Sequence, residues 1–127
     1  MKTILIETPK KIESLNRILN MPSWARKRYN VDWAQEIYIE YLRKYRSKPK
    51  KALGKRFVQI TSLRTRKLDK DNLIGGCKGL VDALKKHNLI VDDSPKWIEV
   101  EYKQETEGKN PRTVIEVREC VGIEESE

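Results

Sequence analysis

A chain of 127 residues with 38% hydrophobic and 36% charged residues can bury one modest core and not two, so a single domain spanning 1–127 is expected. Two cysteines and one histidine are too few for a four-ligand zinc site or a well-supplied Ser-His or Cys-His nucleophile, so any metal must be met mainly by oxygen, which selects magnesium or manganese. The net charge of +8 comes with no apolar run near the roughly 20 residues of a bilayer span and no signal-like core in MKTILIETPKK, so a cytoplasmic protein without a membrane partner is expected.

Thr3 to Glu7 alternates weakly and reads as a short strand that Pro9 ends. Residues 10 to 31, with Pro22 and the basic Arg26, Lys27 and Arg28, read mostly as loop. From Asp32 the pattern turns helical. Asp32 with Gln35 fits a capping box, and Ala34, Ile37, Tyr38, Tyr41, Leu42 and Tyr45 share one face to about Arg46. The three tyrosines read as core and rim packing, because they lie beside Ile37 and Leu42.

Arg43 to Arg56 then carries eight Lys or Arg and no acid. Its plain use is a solvated loop. The stronger expectation is a surface that tracks phosphates, formed by Lys48, Lys50, Lys51, Lys55 and Arg56. Charge is lopsided along the whole chain: residues 1 to 91 hold 22 Lys+Arg against 8 Asp+Glu, whereas residues 92 to 127 hold 5 against 11. That asymmetry favours nucleic acid as partner.

Arg56 to Arg64 alternates as a second strand, with Val58 and Ile60 on one side. Leu80, Ala83, Leu84 and His87 mark the buried face of a second helix that ends near Asn88. Trp97 to Gln104 and Arg112 to Glu119 alternate again and, joined by EGKNP, are expected to pair as an antiparallel hairpin. Residues from Gly122 are acidic and expected to fray. The order β-α-β-α-β-β predicts an α+β fold, one mixed sheet of about four strands flanked by helices.

Five aspartates crowd into KLDKDNLIGGCKGLVDALKKHNLIVDD, Lys67 to Asp93. In an extended segment Asp69 and Asp71 project from one face and can chelate a cation. Asn72 could cap the segment after it, Gly75-Gly76 could turn sharply or approach a phosphate, and Lys78 and Asp82 share a helix side. Each also has a plainer use, as a solvated turn, an ordinary loop or a surface ion pair worth a few tenths of a kcal/mol. Leu73 excludes an EF-hand, and GGCKG lacks the spacing of a phosphate-binding P-loop.

Taken together, Asp69-Lys70-Asp71-Asn72, then Lys78 four residues before Asp82-Ala83-Leu84, then Asp92-Asp93, resemble the RusA family of Holliday-junction resolvases. The similarity is strong from Asp69 to Trp97 and weaker elsewhere, including Asn16. The founding pattern has its lysine four residues after the second aspartate. Here Asp71 and Lys78 are seven apart, with Gly75-Gly76 between them, a version associated with phage relatives.

The resemblance implies a homodimeric, magnesium-dependent endonuclease that nicks four-way DNA junctions symmetrically, often encoded by phages or prophages. It places the essential aspartates on Asp69, Asp71 and Asp93 and the catalytic lysine on Lys78. Clustered carboxylates repel one another without a cation, which fits a working metal site. Arg64, Arg66, Lys67 and Lys70, with the basic loop, would then hold the DNA that carboxylates repel. Two alternatives remain at this point: a catalytically silent protein that binds branched DNA, and a nuclease acting mainly on flaps or forks.

Overall fold

Strands with branched apolar residues at every second position build continuous apolar rows only when their registers agree, and here they do. In the computed structural model, which describes residues 3–107 and 109–120, the strands are β1 (Ile4–Thr8), β2 (Arg56–Arg64), β3 (Ile98–Thr106) and β4 (Arg112–Glu119). They form one mixed sheet in the order β1-β4-β2-β3. Ile6, Ile115, Ile60 and Tyr102 align across all four strands, and Ile4, Val117, Val58 and Val100 make the next row.

Four helices complete the α+β fold: α1 (Leu15–Leu19), α2 (Ser23–Tyr45), α3 (Lys70–Gly76) and α4 (Lys78–Lys86). α2 supplies Tyr29, Trp33, Ala34, Ile37 and Tyr41 to the core, and α4 supplies Leu80, Val81, Ala83 and Leu84. Together with Ile6, Val58, Ile60, Ile115 and Val117 these residues form one buried cluster. Tyr41 is thus core, while Tyr45 sits at the rim and its hydroxyl accepts the Leu5 N–H at 2.9 Å.

The expected hairpin does not form. β3 and β4 are consecutive in the chain, yet β2 lies between them, parallel to β3 and antiparallel to β4. The path from β2 through α3 and α4 into β3 is therefore a crossover of the βαβ kind. Alternation identifies a strand and leaves its partner open. β3, whose Glu99, Glu101, Lys103 and Glu105 are exposed, suits an edge, while β2 and β4 carry the better buried residues. The connection after β3 bridges the end of β2, with the Glu107 N–H donating to the Arg64 carbonyl at 2.8 Å.

α2 also departs from expectation. It begins at Ser23, after Pro22, so Asp32 and Gln35 are interior positions and no capping box operates there. The other end matches: Arg46 closes the helix in the left-handed region at φ 61°. α1 occupies part of a segment expected to be loop, with the Ser14 hydroxyl accepting the Arg17 N–H at 3.1 Å as its cap. The fraying expected from Gly122 falls outside the described residues.

Candidate active site

The third row across the sheet is polar, and it anchors the chain that leads into the acidic motif. Thr8, Thr113, Ser62 and Gln104 share this row. Gln104 clamps Leu68 from both sides: its Oε1 accepts the Leu68 N–H at 2.8 Å and its Nε2 donates to the Leu68 carbonyl at 2.8 Å. Arg64 adds donations to the carbonyls of Ile12 at 2.8 Å and Arg66 at 2.9 Å. Asp69 therefore follows a segment fixed to the sheet.

Asp69 and Asp71 do not share an extended strand. Asp69 is the N-cap of α3, with Oδ1 accepting the Asn72 N–H at 2.9 Å and Oδ2 accepting Asn72 Nδ2 at 3.0 Å. Asp71 lies in the first helical turn, where a carboxylate favours the positive end of the helix. The capping role expected of Asn72 thus belongs to Asp69. Asn72 instead joins two helices, its Oδ1 accepting the Asn16 N–H of α1 at 2.8 Å.

These bonds from Asn72 hold the Asp69 carboxyl below the usual carboxylate range. With the folded value lowered, Asp69 contributes stability above its unfolded pKa and loses it as pH falls through the folded one. Asn72→Ala is expected to raise the Asp69 carboxyl toward its ordinary value. Carboxyl-carbon NMR titration checks this, and an unmoved midpoint would contradict the side-chain bond from Asn72 Nδ2.

Gly75 and Gly76 serve packing, where a sharp turn, a phosphate approach or an ordinary loop had been open. Both lie inside α3, where a Cβ on Gly75 would come within 2.7 Å of Leu15 Cδ2 and one on Gly76 within 1.9 Å of the Glu13 carbonyl oxygen. The pair lets α3 lie directly on the segment before and within α1. The Tyr29 hydroxyl secures this contact, donating to the Gly76 carbonyl at 3.2 Å and accepting the Glu13 N–H at 3.0 Å.

Where α3 passes into α4, a depression of about 270 Å³ opens over β3. Lys78 and Asp82, one turn apart on α4, line it with Asp93, and Tyr102 and Val100 contribute from the sheet. Lys78, Asp82 and Asp93 are all exposed. Among the described residues no ion pair joins Lys78 to Asp82, so the surface pair allowed by their spacing is not made. Asp92 is engaged elsewhere. Its Oδ1 meets Lys85 Nζ at 2.9 Å, and that contact pulls the Asp92 carboxyl below its ordinary value.

The structure therefore brings Lys78 and Asp93 to one depression and leaves Asp69 and Asp71 outside its lining. Asp71 stands one helical turn before Gly75, which does line it. Carboxylate oxygens are the right donors for a hard cation. Their placement is not a ready cage: among the described residues no three His, Cys, Asp or Glu side chains are gathered closely enough to hold an ion. Sequence reading missed Tyr102 as part of this site. Its alternation with Val100 was visible, but the assumed hairpin gave no reason to put that face against α3 and α4.

Of the basic residues, Arg66, Lys67 and Lys70 are exposed around Asp69, and Lys48, Lys50 and Lys51 are exposed on the loop before β2. Lys55 pairs with Glu99 at 3.2 Å. Two arginines turn inward, contrary to a surface role. The Arg64 donations described above are internal, and Arg56 is buried, with Nη1 donating to the Leu89 carbonyl at 2.9 Å. Cys77 is fully buried and its thiol is pushed up to about 12, so it is no nucleophile at neutral pH. His87 packs as the sequence suggested, its ring stacked on Tyr38 with Nε2 2.9 Å from the Ala34 carbonyl oxygen.

The sequence model described as endodeoxyribonuclease RusA matches residues 8–118. The chain belongs to the RusA endodeoxyribonuclease family. The match runs from the last residue of β1 nearly to the end of β4, so β2, β3, the four helices and the acidic motif all fall within the RusA region. No curated protein matches the chain. Among the described residues no helix is long and apolar enough to cross a membrane.

Proposed function

We propose that this RusA-family chain is a structure-selective endodeoxyribonuclease that resolves four-way DNA junctions by paired symmetric nicks during recombination and repair. The observation that carries the reading is the shared depression of Lys78 and Asp93, with Asp71 one turn from its rim. Hydrolysis joins a water oxygen to phosphorus and breaks one bridging P–O bond. The site must therefore take a proton from water, offset charge on the phosphate and stabilise the departing oxygen. Lys78 offsets the phosphate charge, Asp93 orients the water, and the exposed Arg66, Lys67 and Lys70 hold the flanking backbone.

Magnesium, or manganese in its place, belongs to this reading, with Asp69, Asp71 and Asp93 as the oxygen donors. When bound, such an ion acidifies water and neutralises phosphate charge. Because the three carboxylates are not gathered, no step is assigned to it. A homodimer is also part of the proposal, since a junction of approximate two-fold symmetry offers equivalent strands to two equivalent sites.

The separation of Asp69 and Asp71 from the depression favours a second reading, a catalytically silent protein that binds branched DNA. Incubation with a synthetic four-way junction, a fork and a linear duplex, each with and without magnesium, separates the readings. Paired nicks at symmetric positions on the junction, dependent on the ion, are expected. Salt-sensitive binding with every strand intact would establish the silent binder instead.

A further inference from the structure

Arg56 opens β2, about 26 Å along the strand from Arg64 at a rise of 3.3 Å per residue, and no step of the proposed cleavage uses it. The residue is only 8% exposed, and its Nε is buried with no acceptor among the described residues. Guanidinium stays charged at neutral pH, so one carbonyl bond from Leu89 leaves a buried cation short of acceptors. Glu119, opposite it on β4, is exposed and forms no ion pair with it among the described residues.

Arg56 also lines a cavity of about 400 Å³. Lys48 and Lys50 stand at it, both exposed and neither in an ion pair among the described residues. Ser47 adds a hydroxyl, and Tyr41 and Tyr45, with ring centroids 4.7 Å apart, form an aromatic wall. Three cations and no carboxylate thus line one half-open pocket.

We propose that this cavity is a phosphate-binding site, with Arg56 supplying the planar donor fork and Lys48 and Lys50 neutralising the charge. A doubly charged tetrahedral oxyanion matches three cations better than a single carboxylate does. Its source is either a backbone phosphate of DNA or a free phosphate group. The site stands without the nuclease reading, whereas assigning the phosphate to DNA rests on that reading.

Side-chain NMR of the arginine Nε–H groups tests it, with Arg56 assigned through its own backbone resonances. Inorganic phosphate added at constant ionic strength should shift the Arg56 signal to saturation, and chloride should not. In the Lys48→Ala/Lys50→Ala double variant, whose substituted side chains are exposed, half-saturation should need about tenfold more phosphate. Duplex DNA shifting the same signal identifies the backbone as source; DNA without effect leaves a free-phosphate site. A signal that neither phosphate nor DNA moves overturns the proposal. None of these outcomes depends on strand cutting.

Discussion

Asp71→Asn is expected to leave binding to a four-way junction nearly unchanged while cutting falls by about 10²-fold or more, the loss typical when one charged or donor group is removed from a reacting centre. Asp71 is exposed in the first turn of α3 and makes no ion pair among the described residues, so an amide of the same shape disturbs little packing. It stands one turn before Gly75 at the depression that holds Lys78 and Asp93. Asp69→Asn is a less clean probe because Asp69 also caps the helix. Asp92→Asn is the matched control: it breaks the 2.9 Å pair with Lys85 outside the depression and should leave cutting close to normal. Gel-resolved nicking beside equilibrium binding on the same junction measures both quantities. Undiminished cutting by Asp71→Asn would remove the acidic motif from the reaction.

Gly76→Ala should produce the largest loss of stability among single methyl additions at the glycines of this site. The added carbon would sit 1.9 Å from the Glu13 carbonyl oxygen and 3.0 Å from Ile12 Cγ2. The first of these is backbone, so no rotamer change relieves it, and α3 must move off the segment before α1. A cost of about 3 kcal/mol, at the upper end for overpacking, is expected, corresponding to a Tm about 10 °C lower. Gly79→Ala is the instructive contrast. There the close atom, at 2.3 Å, is Oδ1 of the exposed Asn30 side chain, which can rotate away, and a loss below about 1 kcal/mol is expected. Thermal and urea unfolding of the two variants check the difference. Equal melting temperatures would show that the α3 contact yields more easily than its geometry indicates.

The same contact shows what could be read in advance. Gly75-Gly76 was visible as a place where the backbone must come close to something, but the approaching partner, the chain around Glu13 and Leu15, lies some 60 residues earlier in the sequence. A sharp turn, a phosphate approach and an ordinary loop were all open, because a glycine pair suits each of them. The start of α2 was missed because Ser23 to Arg28 carries exposed and basic residues, and amphipathic periodicity cannot register a turn that buries almost nothing. Pro22 was the available signal for an earlier start. Arg56 looked like one more cation of the basic loop. Only the alternation of β2, which turns Arg56 to the same side as Val58 and Ile60, hinted that it faces inward.

β2 and β4 have the bounds that alternation indicated, and the buried face of α4 holds Leu80, Ala83 and Leu84 as spaced. These features, with the acidic motif that marks the RusA family, were determined by the sequence alone, because periods of 2 and 3.6 are local consequences of backbone geometry. Tertiary structure alone decided that β2 separates β3 from β4, that Gln104 grips Leu68 across 36 positions, and that Asp93 joins Lys78 while Asp69 caps a helix. Pairing and convergence depend on which distant surfaces bury one another best, and a single segment carries no record of its partner.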